Sequence, residues 1–286
     1  DAGSRALVAE LMSIRPENLA VESRRLFRPH VLVVTNVRLD HREEMGWTKP
    51  EIARSLAFSM PPESVVFVSG DEGSPDLERA AASMRAKIIR VEKPESSSFF
   101  DEDRALAEAV AGHFGIPSGM ARRGFASTRP DFGGLQAWEA DLGFPPAPWI
   151  LVSAFAANEP DSSERVLAQF QEKVALKGRP LVGVLNFRPD RGDRTLQWLD
   201  AQKRGFFAGF RKVYVVGAHI HSLAIRKKGG GHRVFTPLSG RSASTMTNRI
   251  VSLEGAASVL VGLGNMGGIG AALVEHWQDI GRIHAL

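Results

Sequence analysis

The chain has 286 residues, with 36 Lys and Arg against 32 Asp and Glu and no cysteine. That length accommodates two ordinary domains, and the missing thiols exclude disulfide frameworks, thiolate metal sites and thiol redox catalysis. A formal charge of +4 is too small and dispersed for a nucleic-acid footprint, so no nucleic-acid partner is expected, whereas anionic small substrates fit.

The sequence begins at Asp1 and enters the apolar stretch Ala6-Leu7-Val8-Ala9 at once, as though inside a fold, so a further N-terminal segment is expected. Apolar, β-branched runs at Val31 to Val34, Val65 to Val68, Lys87 to Val91, Leu181 to Leu185, Val213 to Val216 and Val259 to Val261 predict buried strands. Successive apolar residues favour a parallel sheet covered on both faces. Between them, Lys49 to Ser59, Pro75 to Ala86, Glu102 to Phe114, Ser162 to Lys177 and Thr195 to Phe207 carry helical spacing, with Val166, Phe170 and Val174 on one face. Repeated βα units give an α/β fold. Leu142 to Pro148 holds Gly143, Pro145, Pro146 and Pro148, which break regular structure, and the spacing puts a boundary there between domains 1–143 and 149–286. Lys227 to Gly231 predicts an exposed turn. No apolar run approaches the roughly 20 residues that span a bilayer, and no leader opens the chain, so a protein soluble by itself is expected.

The stretch after the first strand is the richest in chemistry. It reads Thr35-Asn36-Val37-Arg38-Leu39-Asp40-His41, then Glu43, Glu44, Met45 and Gly46. In open α/β sheets ligands bind beyond the carboxyl ends of strands, where these polar residues fall. Spacing alone favours a surface loop that caps the next helix. In the second half, Ser153 to Ser162 joins a strand to a helix through Asn158, Glu159, Pro160 and Asp161, and Asp161 or Ser162 is expected to cap that helix. Asn186-Phe187-Arg188-Pro189-Asp190-Arg191, followed by Asp193 and Arg194, ends another strand. Arginine forks there could clamp phosphate or carboxylate. Gly262 to Gly270 contains Gly-x-Gly-x-x-Gly between a strand and a helix, but no second strand of a βαβ unit has room to follow. A tight turn or backbone anion contact is therefore expected in place of a dinucleotide site. His113, His219, His221 and His232 show no ligand spacing, though His219 and His221 would share a strand face.

Together these segments resemble the Mur ligase superfamily, most closely the poly-γ-glutamate synthase subunits of the PgsB/CapB type, along nearly the whole chain. The resemblance implies a partial central ATP-binding domain, with a mainly parallel sheet, followed by a Rossmann-like C-terminal domain. Leu7 to Met12 resembles the family's strand ending in a metal-binding glutamate, which makes Glu10 and His41 the implied Mg2+ ligands. His41, Arg188 and Arg191 become the implied catalytic residues. Asn36, Asp40, Asp103, Asn158, Asn186 and Asp190 become the implied ATP- and substrate-binding residues, with Asp103 standing where the family often has an adenine-contacting Asn. The family's glycine-rich Lys-Thr or Lys-Ser loop is not in this sequence, so the phosphate-binding loop is expected in an N-terminal segment. Phe132-Gly133-Gly134-Leu135 lacks the Arg found there in many relatives.

The implied function is ATP-dependent γ-glutamyl ligation through an acyl phosphate in poly-γ-glutamate and capsule biosynthesis. Its implied partners are glutamate, the growing polymer and small membrane subunits, in an oligomer held peripherally on the cytoplasmic face of the membrane. Two other readings stand beside it. One is a non-catalytic module of the same assembly, and the other is a nicotinamide-dependent oxidoreductase built on Gly262 to Gly270.

Overall fold

The structure, a computed structural model, describes residues 6–72, 74–92, 99–127, 134–173, 178–218, 235–240 and 242–284. They form two compact units, Asp1–Thr128 and Arg129–Leu286.

In the first unit, α1 (Pro16–Val21) runs into a π-helical turn, Glu22–Phe27, that ends at Arg28 in the left-handed region. Ser23 Oγ donates to the Ser59 carbonyl, and Arg24 donates to those of Met60 and Ala57 at 2.9 and 3.2 Å. These bonds satisfy the Ser59 and Met60 carbonyls just beyond α3 (Lys49–Ala57) and give the Ala57 carbonyl a second donor beside the Met60 N–H at 3.1 Å. The sheet has three parallel strands in the order β1-β2-β3, namely Val31–Val34, Val65–Ser69 and Lys87–Val91. Leu32, Val34, Val66 and Val68 face a core with Ile52 and Ala53 of α3 and with Leu77 and Ala81 of α4 (Pro75–Met84). Alternation along β2 turns Phe67 to the opposite face, where its ring meets the edge of His113 on α5 (Phe99–His113) at 5.8 Å. Between β1 and α3 lies α2 (Arg42–Met45), and α6 (Ser118–Ser127) follows α5.

The expected burial on both faces fails at the sheet margins. Val33 is 39% exposed, and β3 has no fully buried residue. Among the described residues of this sheet only the middle strand has neighbours on both sides.

The second unit holds a seven-stranded sheet ordered β10-β4-β5-β9-β6-β7-β8. Its strands are β4 (Gln136–Leu142), β5 (Ala147–Ser153), β6 (Leu181–Phe187), β7 (Phe210–Gly217), β8 (Phe235–Pro237), β9 (Val259–Gly264) and β10 (Arg282–Ile283). From β5 through β8 the pairing is parallel, while β4 and β10 are antiparallel additions at one edge. Every residue of β6 and β9 is buried. One face packs Leu151, Val184, Tyr214 and Leu260 against Ile250 of α9 (Ala243–Glu254) and Val274 and Trp277 of α10 (Ile269–Ile280). Helices α7 (Pro160–Lys173) and α8 (Gly192–Lys203) bury Val166, Phe170 and Trp198. Each such side chain contributes about 1.5–3 kcal/mol when fully removed from water.

The boundary expected at Leu142 to Pro148 is corrected. Leu142 pairs with Ala147 and Asp141 with Pro148, so this stretch is the turn of a β4–β5 hairpin inside the second unit. Prolines are tolerated there because β5 pairs with β9 only from Ile150 onward, so Pro148 removes no donor from that ladder. Val174 to Lys177, Lys227 to Gly231, Phe132, Gly133, His219, His221 and His232 lie outside the described residues.

Candidate functional site

In the first unit the carboxyl end of β1 opens into the loop that carries Asn36, Asp40 and His41. Val37 and Met45 are buried and anchor the loop in the core. Between them the chain rises to partly exposed polar residues. Asp40 Oδ1 accepts the His41 N–H at 2.9 Å, and its other oxygen lies 3.6 Å from His41 Nε2. The histidine sits at φ +48 as the residue before α2. Its carbonyl accepts from Glu44 and Met45 at 3.1 and 2.8 Å. The capping carbonyl and a partly exposed imidazole therefore coexist in one residue. Asn36 Nδ2 reaches Thr35 Oγ1 at 3.3 Å. Gly46, at φ +125, could carry no side chain, because a Cβ would collide with that of Glu51. The Glu51 carboxylate accepts the N–H groups of Trp47 and Thr48 at 2.8 and 3.0 Å, closing a capping box on α3. On α5, desolvation raises the carboxyl of Asp103 above the usual range, against the opposing pull of Arg38, although the residue as a whole stays exposed. Arg38 and Asp103 are thus within electrostatic reach of each other.

Glu10 requires a correction. Residues 6–14 form no strand, and Glu10 is exposed. A strand needs a partner for its N–H groups, yet here the Met12 and Ser13 N–H groups go to the Glu22 carboxylate at 3.1 and 2.9 Å. Hydrogen bonding from Ser13 leads the causes that hold Glu22 below its ordinary pKa. Among the described residues no group of three or more His, Asp or Glu could hold a metal ion. A magnesium ion that keeps most of its waters needs only one or two protein ligands, and His41 and Asp40 are the donors this loop offers it.

In the second unit three loops leave the carboxyl ends of β5, β6 and β9. The first carries Asn158, partly exposed, whose carbonyl accepts the Trp198 indole N–H at 3.3 Å. Glu159, buried, accepts the Ser162 N–H at 3.1 and 3.0 Å and also the Ser162 hydroxyl. Glu159 therefore caps α7, in place of the expected Asp161 or Ser162. In the second loop Arg188 makes a bidentate pair with Asp190, at 2.9 and 2.7 Å, and this pairing holds the Asp190 carboxyl below its ordinary pKa. Both side chains remain about half exposed. Arg191 precedes α8, and its carbonyl accepts the Thr195 N–H at 3.2 Å.

Asn186 behaves otherwise than expected. It is 1% exposed and turned onto protein: its Nδ2 donates to the carbonyls of Asn265 at 2.6 Å and Gly267 at 3.0 Å. In return the Asn186 carbonyl accepts the Asn265 N–H at 3.0 Å and Asn265 Nδ2 at 3.3 Å. Buried Arg194 donates to Asn265 Oδ1 at 3.2 Å. Sequence reasoning gave Asn265 no role of its own and counted Arg194 among the arginines that could clamp an anion, whereas the structure buries it on Asn265. The available signal was an asparagine isolated within a glycine and apolar run.

The glycines of the third loop are accounted for by close approach. A Cβ on Gly264 (φ +85) would lie 2.5 Å from the Asn186 carbonyl oxygen, and one on Gly270 would lie 2.5 Å from that of Asn265. A Cβ on Gly267 would meet the Arg188 guanidinium at 2.6 Å, and one on Gly262 would enter the Phe155 ring. After β9 and α10 the chain continues into β10, which is antiparallel to β4, so this glycine run opens no βαβ unit. These observations agree with the tight turn expected from sequence.

Residues 141–280 match the family model of the poly-gamma-glutamate synthase CapB C-terminal domain. The chain is 28% identical over 208 residues to the capsule biosynthesis protein CapB of Bacillus anthracis, covering 69% of this chain and 44% of that protein. It is 26% identical over 207 residues to the PGA synthase CapB of Bacillus subtilis (strain 168), covering 69% and 52%. The chain thus spans about half the length of these curated relatives. Among solved structures, a bifunctional folylpolyglutamate synthase/dihydrofolate synthase from Yersinia pestis, complexed with AMPPNP and Mn ion, matches with a TM-score of 0.59 at 14% identity. That match covers 87% of this chain and 61% of that one, which shows a shared fold.

Proposed function

We propose that the chain, whose residues 141–280 match the model of the poly-gamma-glutamate synthase CapB C-terminal domain, is part of an ATP-dependent ligase that forms γ-glutamyl amide bonds. One observation carries the reading: two CapB proteins match 69% of a chain whose polar loops gather at the carboxyl ends of parallel strands, where open α/β sheets bind ligands.

In the proposed reaction a terminal carboxylate oxygen attacks the γ-phosphorus of ATP, and ADP leaves. The amine of the incoming glutamate then attacks the acyl carbon. Phosphate departs with the C–O bonding pair, and the amine loses a proton. Residues of this chain serve by positioning and by offsetting charge. The Asn36 to His41 loop of the first unit faces the nucleotide, with Asp103 nearby on α5. Arg188 and Arg191 of the second unit present cations to anionic groups, Asp190 fixes the Arg188 fork, and Asn158 lines the same sheet end. A divalent cation belongs to this chemistry, as in the solved Yersinia pestis neighbour, which is complexed with AMPPNP and Mn ion.

The reading also needs a phosphate-binding loop from polypeptide outside this sequence. Among the described residues β1 is an outer strand and Val33 is exposed on a face of its sheet, which supports the packing of such a segment there. Peripheral attachment at the membrane with small membrane subunits, in an oligomer serving capsule biosynthesis, belongs to the same proposal. No helix among the described residues is long and apolar enough to cross a membrane.

The test is to join the chain to a segment carrying a glycine-rich Lys-Thr or Lys-Ser loop and to measure glutamate-dependent phosphate release. The expected outcome is turnover that falls by roughly 100-fold or more in His41→Ala, the scale of losing one group that acts on the transferring charge. Full activity in that variant rejects the role of His41. If the joined protein retains partner binding without ATP binding, the non-catalytic module takes its place.

A further inference from the structure

Asn186 lies where β6 ends, paired in register with Gly264 of β9 and Val216 of β7. An amide at such a place could reach ligand or hold protein, and burial at 1% exposure decides for protein. Both groups that meet its end at 2.6 and 3.0 Å are carbonyl oxygens, so the NH2 must face them, since an amide oxygen there would oppose two acceptors. Asn265 returns the contact through its N–H and Nδ2 onto the Asn186 carbonyl, and Arg194 holds its other end. The pair is a closed set of reciprocal bonds across 79 positions of sequence, with Gly264 and Gly270 leaving the room for it.

We infer that Asn186 and Asn265 form one positioning unit that sets the β9–α10 loop, and through it Arg188, for the anionic group of the incoming amino acid. The inference rests on the ligase reading for its substrate. In a trans peptide the C=O of one residue and the N–H of the next point in opposite directions. With the carbonyls of Asn265 and Gly267 drawn inward onto Asn186, the N–H groups of Met266 and Gly268 are turned outward. Gly267 lies against the Arg188 guanidinium, whose fork is fixed by Asp190. One buried amide thereby orients two donors and seats a cation beside them. Asn186 acts through these groups and does not touch substrate itself.

The experiment compares Asn186→Asp, Asn265→Ala and the double variant in the chain joined to its phosphate-loop segment. Asn186→Asp keeps the shape but sets oxygens against two carbonyls. Asn265→Ala removes only the partner side chain and is the milder variant should Asn186→Asp fail to fold. The expected result is a KM for glutamate raised about ten-fold or more in each single variant, the scale of one to two lost hydrogen bonds, with the KM for ATP within about two-fold of wild type. The double variant should be no worse than the worse single one, because residues acting as a unit are not additive. A glutamate KM unchanged in folded variants, or additive effects, overturns the inference. Should the wild type show no glutamate-dependent turnover, the ligase reading fails by itself. The unit is then judged by exchange of the Asn265 amide, which bonds the Asn186 carbonyl at 3.0 Å and must lose protection in Asn186→Asp, and unchanged protection refutes it.

Discussion

The two units bury their sheets to different depths. In the second unit β6 and β9 have no exposed position along their whole lengths, being flanked by strands on both sides and helices on both faces. In the first unit only β2 approaches that state, and β1 leaves Val33 in water. Similar runs of Val, Ile and Leu therefore do different work. Where a strand has two neighbours, each apolar side chain adds to a core. At a margin, every second one is left for whatever else packs there. Stability is thus concentrated in the second unit, and the polar loops there rest on the stiffer frame.

The largest way to break this contrast is Trp277→Ala. The indole is fully buried, stacks on Phe155 at 6.0 Å and donates to Thr247 Oγ1 at 3.1 Å. Its removal should cost the second unit about 3–5 kcal/mol, read as a shifted urea transition. A sharper comparison places one substitution in both sheets. Val184→Thr, at 0% exposure, buries a hydroxyl and should cost about 1–3 kcal/mol. Val33→Thr should stay within about 0.5 kcal/mol of wild type. Equal costs would erase the distinction between the sheets. The smallest effect concerns Glu22, whose folded pKa is lowered. Its hold on Met12 and Ser13 is complete above the ordinary carboxylate value, about 4, and is lost as pH falls through the folded value. Protection of the Met12 and Ser13 amides relative to their intrinsic exchange rates should fall in acid in the wild type and be weaker, with no such pH dependence, in Glu22→Gln.

The strands of the parallel cores were legible because continuous apolar runs bounded by polar loops have few other uses. Val31–Val34 and Lys87–Val91 agree residue for residue, and Leu181 to Leu185 was short only by its polar end, Asn186-Phe187. The β4–β5 hairpin was not legible. Its strands hold Glu139, Asp141 and Pro148, and its turn carries two further prolines, so local signals spoke for a linker while pairing with β9 and β10 overrode them. Helix α9 was missed as well, since Ser, Thr and Asn interrupt its apolar stripe. At the site, sequence placed the loops beyond the right strand ends but could not tell which way a polar side chain turns. Arg188 and Asp190 face outward as expected, whereas Asn186 has the same polarity and position and faces in. Burial alone separates them, and burial belongs to the tertiary fold. Glu10 failed for a related reason: its strand required a partner, and the local N–H groups were already engaged by Glu22.

One late pairing carries a mechanical consequence. The last described strand, β10, lies antiparallel on β4, the first strand of its unit, through Arg282 with Glu139 and Ile283 with Trp138. Gly281 permits the seam, since a Cβ there would lie 2.5 Å from that of Trp138. Both ends of the second unit therefore emerge at the same sheet margin. Tension applied through them would unzip a two-residue ladder one rung at a time, leaving the parallel strands and the loops at their tips unloaded.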